Sequence, residues 1–366
     1  MHVLQIIDSL NCGGAEVMLT AMAPRFRARG VTCDVSVLLR RPSPLEGELL
    51  EHGVQLIYTG VHKLYSPKQI LPLEKLIRGY DIVHVHLFPA QLWAVLAAAR
   101  LGDRIPLVTT EHGTWNARRR WWLRAVDKWM YSQYNHVACI SKAAADELTR
   151  WCPTIAGKIS IIPNGIALEA FETAEPSALT SVPSGDVRLV FVGRFDVPKD
   201  HATLLRALTA VPNAHLLLVG DGPQRHALQK LARVLRIEAR VTFLGWRSDV
   251  AAVLKASDIY VHSTRAEGFG IAACEAMAAG LPVVASDVPG LAEIVEGSGI
   301  LFPPGNDKVL AHQLNELIAS QERRRKMSQA SVRRARQFSI EHTVDGYIRM
   351  YESELHLPIP SIAEAR

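Results

Sequence analysis

The run Ile259-Tyr-Val-His-Ser-Thr-Arg-Ala-Glu-Gly-Phe-Gly-Ile-Ala-Ala-Cys-Glu-Ala-Met-Ala-Ala-Gly-Leu-Pro-Val-Val-Ala285 holds a complete structural unit. Ile259–His262 reads as a short buried strand, a glycine-punctuated loop follows, Ile271–Ala279 has helix length, and Pro282–Ala285 enters a second strand. Strand, helix and strand in immediate succession make a right-handed βαβ unit, the building block of a parallel sheet.

The same alternation extends in both directions. Strands are expected at Val3–Ile7, Cys33–Leu39, Gln55–Tyr58, Ile82–His86, Leu107–Thr110, His136–Ile140 and Ile159–Ile162. A second set follows at Arg188–Val192, His215–Val219, Val241–Leu244, Ile259–His262, Pro282–Ala285 and Ile300–Phe302. Helical segments such as Ala15–Arg29, Gln91–Arg100 and Pro223–Leu235 lie between them. The fold class is α/β, with two doubly wound, Rossmann-like parallel sheets. Ile162-Pro-Asn-Gly-Ile166 and the aperiodic stretch Glu172–Asp186 mark the break between the sets. Domains are therefore expected at 1–166 and 167–339. Residues 340–366 follow as a C-terminal helix and tail that pack back on the first domain.

Composition narrows the class. The 366 residues are 48% hydrophobic and 21% charged, which excludes disordered and fibrous chains. Met1–Asp8 reads as a strand and not as a secretion signal, and the longest apolar run, Pro89–Ala99, is shorter than the roughly 20 residues of a spanning helix. A cytoplasmic location is expected. The five cysteines are scattered, with no CxxC pair, so neither a disulfide framework nor a zinc site is expected. The net charge of +5 is unevenly placed: Trp115–Tyr131 carries +4 and Glu322–Arg336 carries +6, leaving −5 elsewhere. Neither basic window contains a nucleic-acid-binding motif, so no nucleic-acid partner is expected.

In doubly wound domains ligands sit beyond the carboxyl ends of the strands, and two such domains enclose a cleft. The loops there carry the chemistry. Gly13 and Gly14 open the first helix and would let backbone N–H groups approach a phosphate, although the pair alone reads equally as a tight turn. Arg194 and Lys199, both leaving one strand, suit a diphosphate. Gly220-Asp-Gly-Pro223 lacks the rest of a dinucleotide fingerprint, which disfavours a nicotinamide enzyme. Glu267 precedes a glycine turn, and Glu275 sits on a small, apolar helix where a carboxylate needs partners such as ribose hydroxyls. The N–H groups of Phe269, Gly270 and Ile271 open that helix toward an anion. Trp246 and Arg247 follow a strand and would border a nucleotide base.

Glu267 through Glu275 closely resembles the E-x7-E motif of the retaining glycosyltransferases of family 4, which have the GT-B fold. Gly13-Gly14, Glu111-His-Gly113, Pro163-Asn-Gly165, Arg194/Lys199 and Gly220-Asp-Gly222 stand in the family's order along nearly the whole chain. The resemblance implies an acceptor-binding first domain and a second domain that holds a nucleotide-diphosphate sugar. It assigns Glu275 to the ribose, Glu267 to the reacting end of the sugar, Arg194 and Lys199 to the diphosphate, and His112 to the sugar from the first domain, with His112 and Glu267 as the catalytic pair. It also implies transfer with retention and front-side attack assisted by the departing phosphate. No DxD sequence occurs, so no metal or other cofactor is expected, and cationic side chains with helix N–H groups would stabilise the leaving group.

Read as a helix, Trp115–Tyr131 aligns Arg120, Arg124 and Lys128 in one stripe, with Trp122, Val126, Trp129 and Met130 on an apolar side. This segment is either a domain helix with solvated cations or an interfacial surface for anionic lipid and a lipid-linked acceptor. The expected function is transfer of a sugar to an acceptor hydroxyl, in cell-surface polysaccharide or glycolipid synthesis at the inner face of the membrane. The alternatives are a soluble small-molecule acceptor, a sugar-nucleotide epimerase of similar fold, and a catalytically silent binding subunit.

Overall fold

The computed structural model describes all residues except 12, 103–104, 115–118, 180–181, 183–184 and 357–366. The chain divides into two units: Met1–Gly165 together with the stretch from Ile340 onward, and Ile166–Ser339.

Unit 1 is built on seven strands: β1 His2–Ile7, β2 Thr32–Val37, β3 Leu56–Tyr58, β4 Ile82–His86, β5 Leu107–Glu111, β6 His136–Cys139 and β7 Ile159–Ile161. Their order is β3-β2-β1-β4-β5-β6-β7, and every pairing is parallel. Unit 2 has six: β8 Val187–Val192, β9 Ala214–Val219, β10 Val241–Gly245, β11 Ile259–His262, β12 Val283–Ser286 and β13 Ile300–Phe302. Their order, β10-β9-β8-β11-β12-β13, is again wholly parallel. All thirteen expected strands form, most with ends displaced by one or two residues. Helices cover both faces of such sheets, which is why central strands are buried on both faces. Val283–Ser286 is buried at every position, and Leu189, Phe191, Leu216, Leu218, Val261 and Val284 share one core in unit 2.

Each order reverses once, at β1/β4 in unit 1 and at β8/β11 in unit 2. Loops leaving the two strands at such a reversal run to opposite faces of the sheet and open a crevice at the carboxyl ends. In unit 2 this region is closely fitted by glycines. A Cβ on Gly220, at φ +127°, would stand 2.1 Å from the Gly193 carbonyl oxygen, so only glycine lets the β9 turn lie on the β8 turn.

The helix Ile340–Glu354 belongs to unit 1. Arg25 donates to Glu341 at 2.9 Å and Arg29 to Asp345 at 2.7 Å, while Tyr347 and Tyr351 are fully buried against the sheet. Among the described residues no helix is long and apolar enough to cross a membrane.

Candidate active site

The unit 2 crevice gathers its residues from the loops after β8 and β11. Thr264 Oγ1 donates to the Pro198 carbonyl at 2.9 Å, and the Arg265 N–H donates to the same oxygen at 2.8 Å. These bonds fix Lys199 beside Glu267, and the Lys199 ammonium donates to Glu267 Oε2. His262 Nε2 reaches that oxygen at 3.1 Å, and its Nδ1 lies 3.0 Å from Tyr260 Oη. Desolvation pushes the Glu267 carboxyl up, but the Lys199 charge and the His262 hydrogen bond outweigh it and hold the group well below the usual carboxylate range. Burial also keeps His262 below its ordinary value.

The turn after Glu267 needs two glycines. Gly270 caps the helix Ile271–Ala278 at φ +100°, and a Cβ on Gly290 would stand 2.6 Å from the Glu267 carbonyl oxygen. The first N–H groups of the helix lack intrahelical acceptors and give its start a partial positive charge. One turn on, half-buried Glu275 has no hydrogen-bond or ion-pair partner among the described residues, and desolvation pushes its carboxyl up to about 7. Arg194 is exposed, with Nε 3.6 Å from Asp196 Oδ2, so the two expected diphosphate cations pair with different carboxylates. Trp246 is exposed, and the Arg247 guanidinium is bound to Asp249.

Unit 1 places Gly13 as cap of the helix Gly14–Ala28. The Glu16 carboxylate folds back over it, 2.5 Å from where a Gly13 Cβ would stand, so the positive end of this helix already faces an acidic group. His112 follows β5. Its Nε2 lies 2.9 Å from His86 Nδ1, and its buried Nδ1 has no partner among the described residues. Desolvation pushes the imidazole down to about 4, so it is neutral at pH 7.

The basic segment departs from its expected form. Residues 115–118 lie outside the described residues; Trp121–Leu123 is a 3-10 turn, and the helix runs only over Arg124–Ser132. Arg120 precedes that turn and shares no helix with Arg124 and Lys128, which breaks the stripe. Arg124 is also engaged, donating to the Trp151 carbonyl at 3.0 Å with its guanidinium over the Trp151 ring. The expected apolar side is only partly packed: Met130 is buried, whereas Trp122, Val126 and Trp129 are exposed, as is the neighbouring Trp121 at 82%.

Likeness to known proteins bears on these sites. Residues 12–170 match Glycosyltransferase Family 4, and residues 178–334 match Glycosyl transferases group 1. The chain belongs to the family 4 glycosyltransferases. It is similar to the N-acetyl-alpha-D-glucosaminyl L-malate synthase of Bacillus anthracis, at 29% identity over 93% of this chain and 94% of that one. It also resembles the Escherichia coli UDP-Gal:alpha-D-GlcNAc-diphosphoundecaprenol alpha-1,3-galactosyltransferase, at 26% identity over 70% of this chain and 72% of that one. Among solved structures, Anabaena HepE in complex with UDP-glucose superimposes with a TM-score of 0.83, at 23% identity, covering 96% of this chain and all of the other. The fold of this glycosyltransferase is GT-B.

Sequence reading passed over several residues of the glycosyltransferase that support these sites. His262 and Tyr260 back Glu267 from β11, Gln5 and His84 stand in the middle of β1 and β4, and His86 ends β4. Their signal was available: a polar side chain at a fully buried strand position must find a partner. Gly290 carried no such signal, because only the fold brings it to Glu267.

Proposed function

We propose that this glycosyltransferase takes a sugar from a nucleoside-diphosphate donor held in unit 2 and passes it, with retention, to an acceptor hydroxyl. The observation that carries the reading is the meeting of Lys199 and Glu267 at the β8/β11 reversal, beside the start of the helix Ile271–Ala278. A diphosphate would replace Glu267 as the partner of Lys199, and the helix N–H groups would donate hydrogen bonds to the departing phosphate and stabilise its charge. Glu267, released from the ammonium, would face the sugar, and Glu275 would take the ribose hydroxyls. His112 would accept a hydrogen bond from a sugar hydroxyl. Fixed cations and backbone dipoles supply the electrostatic stabilisation that a divalent metal supplies elsewhere, so transfer is expected to proceed without one. Transfer from radiolabelled UDP-, GDP- and ADP-sugars in the presence of EDTA tests this. Activity lost to EDTA and restored by Mg²⁺ or Mn²⁺ contradicts the metal-independent form.

For the acceptor, the exposed Trp121 and Trp122 beside Arg120 favour a lipid-linked molecule at an anionic, inner membrane face, with the enzyme bound peripherally. A second reading, a small soluble acceptor, is favoured by the relative whose name specifies L-malate. Partition of product between organic and aqueous phases separates the two.

A further inference from the structure

A continuous chain of buried polar groups runs through unit 1 behind His112. His112 Nε2 lies 2.9 Å from His86 Nδ1, and His86 Nε2 lies 2.8 Å from Gln5 Oε1. On its other side the Gln5 amide nitrogen donates to Tyr351 Oη at 3.0 Å. Tyr351 Oη is 2.6 Å from His84 Nδ1, and His84 Nε2 is 2.7 Å from Thr110 Oγ1. Gln5 and His84 pair across the β1/β4 reversal, and Tyr351 comes from the helix Ile340–Glu354. Desolvation holds His84 and His86 well below their ordinary values, as it does His112, so the three rings are neutral and each carries one N–H.

We propose that Gln5 is a positioning residue that sets the tautomer of His112 and thereby the kind of group His112 can receive. The Gln5 amide oxygen can only accept, so His86 must hold its proton on Nε2, which leaves His86 Nδ1 bare. A bare Nδ1 must accept from His112, so the His112 proton is on Nε2. His112 Nδ1, the buried atom without a partner among the described residues, is then a lone pair. That lone pair is buried in the ligand-free protein; once uncovered it is compatible with a hydroxyl and not with a carbonyl, carboxylate or phosphate oxygen, which would place two acceptors face to face. The amide orientation is held from behind by Tyr351, so the C-terminal helix takes part in fixing the His112 side chain. The identity of that hydroxyl as one on the sugar rests on the functional reading above; the tautomer does not.

Long-range ¹H–¹⁵N correlation spectra of ¹⁵N-histidine-labelled, ligand-free protein at pH 7.5 test the proposal, with the His112 signals assigned by their loss in His112→Gln. The expected result is a proton on His112 Nε2 and an unprotonated Nδ1. Gln5→Leu removes the acceptor and should shift His112 to a mixture containing the Nδ1–H form. Gln5→Glu, which keeps an oxygen toward His86, should retain the Nε2–H form. A wild-type His112 with its proton on Nδ1 overturns the proposal, and so does a Gln5→Leu protein whose His112 remains wholly Nε2–H. The wild-type spectrum decides even if a variant fails to fold. Because no ligand is present, a wrong tautomer leaves the transferase reading standing, whereas His112→Gln with undiminished transfer removes that residue's role and leaves the tautomer intact.

Discussion

The two parallel sheets reverse at corresponding places, yet their crevices are furnished differently. At β8/β11 the groups are ionic, with Lys199 against Glu267 and His262 behind. At β1/β4 Asp8 accepts from the Ala90 N–H and Glu16 lies over the start of the first helix, and the imidazoles of His84, His86 and His112 are neutral, joined through Gln5 and Tyr351 in a chain that ends at the unpaired His112 Nδ1. Desolvation accounts for both. A buried carboxylate stays ionised only when a cation stands beside it, and imidazoles in the same circumstance discharge and bond to their neighbours. A paired site can exchange its internal anion for a diphosphate without leaving the ammonium alone, and the released Glu267 keeps its hydrogen bond from His262. A neutral site recognises by the direction of its hydrogen bonds. One crevice is suited to the charged end of a nucleotide sugar and the other to hydroxyls.

The largest effect that would break this contrast concerns Glu267. Glu267→Gln should lower turnover by about 100-fold, the scale of losing a group that stabilises developing charge. Nucleotide affinity should hold or tighten, because Lys199 is freed. Loss of affinity with normal turnover would mean that Glu267 serves the nucleotide and not the sugar. Next, Lys199→Met should weaken the donor and its free nucleoside diphosphate together by roughly 10- to 100-fold, the worth of one charge-assisted hydrogen bond. Arg194→Gln, at an exposed site, should do less. Unchanged affinity in both, measured by calorimetry, would empty the crevice of its diphosphate.

A smaller effect separates Glu275 from its neighbour. Its carboxyl, raised to about 7 by desolvation, accepts ribose hydroxyls best when ionised, so donor affinity should rise with pH and level off above 7. About a tenfold loss is expected between pH 8 and pH 6, and Glu275→Gln should bind weakly with no such dependence. A pH-independent wild type would show that the carboxylate form is not required. The smallest effect concerns the exposed tryptophans. Wild type should cosediment with anionic vesicles at low salt and dissociate as salt screens the attraction, and Arg120→Ser with Trp121→Ser should bind about fivefold less. Equal retention by neutral vesicles would reduce the segment to an ordinary surface.

The strands were legible because buried parallel strands are rich in β-branched and apolar residues, and Ile82–His86, Ile259–His262 and Ile300–Phe302 appear with the bounds the residues suggested. Lys199 and Glu267 were each visible as chemistry-bearing loop residues, but their pairing spans 68 positions and follows only from the strand order. The basic stripe misled because four-residue spacing was extended through Trp121–Leu123, where the backbone winds as a 3-10 turn. The Tyr351 ring is buried with the apolar side chains of the C-terminal helix, but its hydroxyl serves the histidine chain. Periodicity reports burial and says nothing about where a phenol oxygen finds its partner.

The most direct test of the contrast is whether the ionic crevice alone responds to a nucleotide diphosphate. Thermal denaturation of wild type, Lys199→Met and His112→Gln should be followed with saturating UDP, GDP and ADP. A ligand that binds only the folded state raises the melting temperature. At least one nucleotide should stabilise wild type and His112→Gln equally, and its effect should largely vanish in Lys199→Met. Equal stabilisation of Lys199→Met, or a response abolished by His112→Gln, would contradict the account.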